Sequence, residues 1–134
     1  MNQSNRARRK LILAGLGSLA TQLDIAGASA QDPTKVMPRA YRVALENDKL
    51  RVLEFTGRPG MGICGEGMHS HPARLTVVLS DWKGRATLPD GTARDRERKL
   101  GDVFWSEAVT HKVENIGKSS TRSLIIELKT PAKA

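Results

Sequence analysis

From Arg51 onward the chain sets short hydrophobic-polar runs between turn-forming residues. Arg51 to Thr56, Leu75 to Ser80, Arg85 to Leu88, Thr92 to Leu100, Val103 to Trp105, Lys112 to Asn115 and Ser123 to Lys129 read as strands by length and residue type. In the last of these, Leu124, Ile126 and Leu128 alternate with Ile125 and Glu127, so one face is expected to be buried more than the other. Pro89-Asp90-Gly91-Thr92 is a hairpin turn between two runs. The segment from Gly57 to Gly67 holds five glycines and one proline, which suits a loop pressed close to something. Gln31 to Ala40, with Pro33 and Pro38, reads as an arm rather than a helix. No stretch sustains a helical period. Many short strands at regular spacing predict an all-β fold, an antiparallel sandwich or barrel.

The first thirty residues follow a different pattern. Arg6, Arg8, Arg9 and Lys10 form a basic head, Leu11 to Ala20 is an apolar run interrupted by Gly15 and Gly17, and Ala28-Ser29-Ala30 offers small residues for cleavage. That order is expected of an export signal peptide over residues 1–30, with a mature chain starting at Gln31 in the periplasm or outside the cell. The apolar run is shorter than the ~20 residues a membrane span needs, so no membrane anchor is expected after cleavage. Arg8-Arg9-Lys10-Leu11-Ile12 is similar to a twin-arginine signal, the ordinary secretory route being the alternative. The rest divides into an arm over residues 31–45 and one domain over residues 46–130.

The full chain carries a formal charge of +8. Removing the leader takes away four basic residues and Asp24 and brings it to +5. The remaining basic residues are scattered and no aromatic stacking motif interrupts them, so nucleic acid is not an expected partner. A small-molecule ligand, with a mild preference for anions, is. Arg94, Arg96 and Arg98 alternate with Asp95 and Glu97. On a strand they form a positive face, read first as a solvated edge protected by charge and alternatively as the wall of an anion pocket or a subunit contact. The single cysteine, Cys64, excludes an internal disulfide framework.

The histidines carry the candidate chemistry. His69 and His71 flank Ser70, so on a strand both imidazoles point to one face, and His111 on a neighbouring strand could add a third. Three neutral imidazoles suit a divalent transition metal: Fe(II), Zn, Mn, Ni or Cu, with positions left open for water or substrate.

These residues resemble the two motifs of the cupins. Gly62 through His69-Ser70-His71 to Gly84 is similar to the first, and Gly101-Asp102-Val103-Phe104-Trp105 with His111 and Asn115 to the second. The resemblance runs from about Glu46 to Lys129 and is closest to the short single-domain bacterial cupins linked to β-alanine degradation. It implies a double-stranded β-helix (an RmlC-like jelly-roll barrel), often paired as a homodimer, with a metal at the barrel mouth on His69, His71 and His111. The glutamate ligand that many metal-binding cupins carry shortly after the histidine pair is replaced by Leu75 and Thr76. What remains is a three-histidine set, as in cupins resembling thiol and diketone dioxygenases. Glu107 and Val109 stand where the second motif usually has proline and glycine.

Four further residues are accessory candidates. Cys64 and Glu66 precede the histidine pair and could supply a fourth ligand, or pack and face water respectively. Arg74 could anchor a substrate carboxylate, or lie exposed. Glu107 could turn toward the metal, or remain a solvent-facing loop charge. The functional expectation is an Fe(II)-dependent dioxygenase acting on a small polar or anionic molecule. The alternative is a non-catalytic periplasmic module that binds a metal or a small anion, and a barrel whose histidines only hydrogen-bond is the third possibility.

Overall fold

The computed structural model of the chain describes residues 31–61 and 67–130. The expected signal peptide and the candidates Cys64 and Glu66 lie outside those residues. The described chain runs α1 (Pro33–Val36), β1 (Tyr41–Glu46), β2 (Leu50–Gly57), β3 (His69–His71), β4 (Arg74–Val78), β5 (Trp82–Thr87), β6 (Ala93–Arg98), β7 (Val103–Ser106), β8 (Val109–Asn115) and β9 (Thr121–Leu128). Its strands form two antiparallel sheets, in the orders β1-β2-β9-β4-β7 and β3-β8-β5-β6. The all-β expectation holds. Among the described residues, no helix is long and apolar enough to cross a membrane.

Period-two burial builds the interior. Strand β2 sends Leu53 and Phe55 inward, β4 sends Arg74, Thr76 and Val78, and β9 sends Thr121, Ser123, Ile125 and Glu127. Leu53, Phe55 and Ile125 join Ala40 and Tyr41 in one apolar cluster, covered by Met37 and Met61. Each full-sized side chain buried there is worth roughly 1.5–3 kcal/mol. The buried face of β9 is its more polar one, and Leu124 and Ile126 look outward. The interior on that side is therefore shaped for a site as much as for a core.

The N-terminal segment departs from the expected arm. Asp32 caps a single helical turn, accepting from the Thr34 amide at 2.8 Å, and Pro33 opens the helix where a missing N–H costs nothing. Arg51 on β2 binds the same carboxylate at 2.6 Å. Strand β1 then pairs with β2, Tyr41 against Phe55, with the two rings 4.9 Å apart. The sheet thus begins ahead of residue 46. Only Tyr41 of β1 is buried, which is why the strand shows no alternating pattern.

The Pro89–Thr92 turn joins β5 to β6 as expected, with the Leu88 amide donating to the Thr92 carbonyl at 2.8 Å and Gly91 at a φ of 86°. Asn115 ends β8 as a clamp: its Nδ2 donates to the carbonyls of Gly57 at 2.9 Å and Ser119 at 2.8 Å, and its Oδ1 accepts from the Gly117 amide at 2.9 Å. On the outer face of the larger sheet, the register lines up Leu45, Val52, Ile126, Leu75 and Trp105 in one row across all five strands.

Candidate metal centre

Strand β3 pairs with β8 so that His69 stands opposite His111, and His71 follows on the same face. His69 is fully buried, with His71 and His111 nearly so. One potential ligand atom from each histidine lies within 4.8 Å of the others, and the ring centroids are 4.9, 5.0 and 5.5 Å apart. Tyr41 packs edge-on against His69 with centroids 4.9 Å apart, closing the apolar side of the group.

Hydrogen bonds decide which nitrogens are open. His69 donates Nδ1–H to the carbonyl of Gly67, since a carbonyl can only accept. Gly67 has a φ of 96°, and a Cβ there would overlap the Met37 side chain, so a glycine presents that carbonyl without strain. His71 turns its Nδ1 to Oε1 of Glu127 at 2.6 Å. In both rings Nε2 is the open nitrogen. The Nε2 atoms of His69 and His111 are buried and have no hydrogen-bond partner. A buried polar atom left in that condition costs about 1–3 kcal/mol, so two in one cluster argue that something absent from the polypeptide satisfies them.

Electrostatics agree with a ligand set. Burial, reinforced by Arg74 and His69, pushes His71 down to about 2. Burial and the other two histidines do the same to His111, also to about 2, and burial lowers His69 as well. All three rings are neutral at physiological pH, the form that ligates a metal. Burial raises Glu127 to about 7, against the opposing pull of Arg51 and Arg74. With His71 neutral, the His71–Glu127 contact is a hydrogen bond rather than an ion pair, and whenever Glu127 is ionised the imidazole Nδ1–H donates to it. Carboxylates behind metal-binding histidines hold the ring in this way. The donor set thus fits a divalent transition metal, which His69, His71 and His111 could hold.

The accessory candidates are placed unevenly. Arg74 is buried at 6% exposure rather than exposed, and among the described residues its side chain's only hydrogen bond goes to the Glu107 carbonyl at 3.3 Å. Among the described residues it has no carboxylate within ion-pair distance. Glu107 is exposed, and its carboxylate accepts from the Trp105 indole at 2.7 Å, so it does not turn toward the histidines. Arg74, Glu107, His71 and His111 all border one cavity of about 600 Å³. Sequence reasoning missed Glu127 and Tyr41. Glu127 left one trace in the sequence, an acid between Ile126 and Leu128, but nothing local marks its face of the strand as the inward one.

No protein-family profile matches the sequence, and no curated protein does. Solved structures match the fold. A cupin domain from Bordetella pertussis superposes with a TM-score of 0.59 at 22% identity, over 67% of this chain and 92% of that one. A double-stranded β-helix protein from Klebsiella pneumoniae gives 0.49 at 18%, over 66% and 74%. A cupin of RmlC-like fold from Methanocaldococcus jannaschii gives 0.48 at 12%, over 66% and 78%. The described chain therefore has the double-stranded β-helix fold of cupin domains, with three neighbouring histidines that could hold a metal ion.

Proposed function

We propose that this chain is an exported metalloenzyme, with His69, His71 and His111 holding a divalent transition metal, Fe(II) in preference to Zn, Mn, Ni or Cu, and that it oxidises a small polar or anionic molecule with dioxygen. The observation that carries the reading is the pair of orphaned, buried Nε2 atoms on His69 and His111, beside a His71 ring whose other nitrogen is already taken. An Fe(II) ion bound there would supply one-electron chemistry, which suits dioxygenation. The chain contributes the rest. Glu127 and the Gly67 carbonyl fix two ring orientations, Tyr41 excludes water from one side, and Arg74 offers a guanidinium to an anionic group in the cavity. Export is inferred from the basic head, apolar run and small residues over residues 1–30. Pairing as a homodimer is inferred from the apolar row between Leu45 and Trp105, which would meet its own copy across a two-fold axis.

A second reading is a binding module without catalysis. It is favoured by the lack of a free acid or base beside the histidines among the described residues: Glu107 is held by Trp105, and Glu127 sits behind His71. Metal content by mass spectrometry on protein purified without an affinity tag, alongside His71→Ala, tests the site. Near one iron per chain, lost in the variant, is expected. No metal in either protein after reconstitution would overturn the site, and zinc or nickel in place of iron would overturn the dioxygenase. Dioxygen uptake with thiols, diketones and phenolic acids separates the enzyme from the binder.

A further inference from the structure

The wall of the cavity opposite Arg74 is built from β6 and β5. Their register sets Arg94 against Ala86, Arg96 against Gly84 and Arg98 against Trp82, and directly paired residues share a face. Five of the six, all but Gly84, border the cavity that His71, His111 and Arg74 also line. Gly84 and Ala86 are small, which leaves the space above them to the arginines and the Trp82 indole.

The acids of β6 point the other way. Asp95 binds Arg85 at 2.7 Å and Glu97 binds Lys83 at 3.1 Å, both on the outer face. Among the described residues, Arg94, Arg96 and Arg98 have no carboxylate within ion-pair distance. Arg98 stacks over the Phe104 ring, 4.5 Å from its centroid, and its buried Nε has no partner. The buried Trp82 Nε1 is also unpartnered. Four guanidinium groups thus face the cavity against one carboxylate, Glu107, which Trp105 already engages. Arg94 and Arg96 are exposed, and the buried donors this wall leaves unsatisfied are those of Arg98 and Trp82, which a merely solvated edge would not carry.

We infer that β6 is the distal half of a two-point anion receptor, so that the ligand of this cavity is a small dicarboxylate, one carboxylate near Arg74 and the histidines and the other on Arg94, Arg96 and Arg98. The inference rests on the reading of this cavity as the ligand site and supplies its substrate class. Guanidinium forks bind carboxylates through paired hydrogen bonds, and two such contacts select for a second negative group.

Titration calorimetry with succinate and butyrate tests it, because the two share a four-carbon frame and differ by one carboxylate. Succinate is expected to bind the purified protein at least about tenfold more tightly, a gap that one charge-assisted contact can supply. The gap should close in the Arg94→Gln/Arg96→Gln double variant and survive in part in Arg94→Lys/Arg96→Lys, which keeps the charge without the fork. Equal affinity for the two acids, no binding of either, or an unchanged gap in the glutamine variant would overturn the inference. Metal content on the same samples should not change with the β6 substitutions. Loss of metal in His71→Ala is read separately, so failure of the metal site and failure of the anion wall are distinguishable.

Discussion

Glu127 and His71 join the two sheets at the histidine cluster: the carboxylate Oε1 on β9 lies 2.6 Å from the imidazole Nδ1 on β3, across 56 residues of sequence. The link fixes the tautomer and the tilt of a ring that has little else to hold it on a three-residue strand. Glu127→Ala is expected to weaken metal binding roughly 10–100-fold, with Glu127→Gln closer to the parent because an amide oxygen can still accept the Nδ1 proton. Chelator competition measures this, and unchanged affinity in the alanine variant would show that the ring is positioned by other means.

Metal occupancy should also appear as thermal stability. At a free metal concentration of 100 times Kd the folded state gains about 2.7 kcal/mol. For a domain of this size that raises the melting temperature by roughly 10 °C or more. Calorimetry of the protein with and without a chelator should show the shift, and His69→Ala or His111→Ala should abolish it. A chelator-insensitive melting temperature in the metal-loaded parent counts against a site inside the barrel.

Stability at acid pH should depend on Asp32. Partial burial pushes its carboxyl up, but hydrogen bonds from Arg51 and Thr34 outweigh this and hold it at about 2. A carboxylate with a depressed folded-state value contributes its stability above the ordinary carboxyl range near 4, and loses it as pH falls toward 2. In urea unfolding between pH 6 and pH 2.5, the parent should lose more stability on acidification than Asp32→Asn. Parallel curves would mean that the cap does not govern this window.

The Gly84 position should resist any side chain. A Cβ there would overlap the Trp82 indole, which lies across the glycine inside the cavity. Gly84→Ala should displace the ring and cost about 1–3 kcal/mol of overpacking strain. A shift in tryptophan fluorescence together with a lower urea midpoint would show it. A normal midpoint with unchanged fluorescence would mean the ring moves at no cost.

The outer row from Leu45 to Trp105 should govern assembly. Leu45 is 51% exposed and Trp105 49%, both large apolar residues on the outer face of the larger sheet. Leu45→Lys should convert a dimer to a monomer in light scattering without changing the fold by circular dichroism. A monomeric parent at micromolar concentration refutes the pairing.

The strands that bury alternate residues, β2 and β9 above all, were legible in the sequence because period-two burial leaves a direct trace. The histidine cluster was legible because its members are few and two of them share a strand face. Strand β1 was not, since Tyr41 is its one buried residue and no alternation marks it. The helical turn was hidden by its brevity, although Asp32-Pro33 is an ordinary helix start. Glu127 and the inward aim of the β6 arginines depend on which strand lies across the barrel. Local pattern does not encode that.

The short strand that bears two of the three histidines is also laced to the head of the described chain: the Ser70 amide donates to the Gln31 carbonyl at 2.9 Å, and its hydroxyl to the Gln31 side chain at 2.6 Å. Strand β3 is flanked by β8 on one side and by this single rung on the other. A version of the protein trimmed to start at Met37 would keep every strand of both sheets and the whole apolar cluster. It would nonetheless lose the stitch along the open side of β3, so a shortened protein could keep its fold and still hold its histidines loosely.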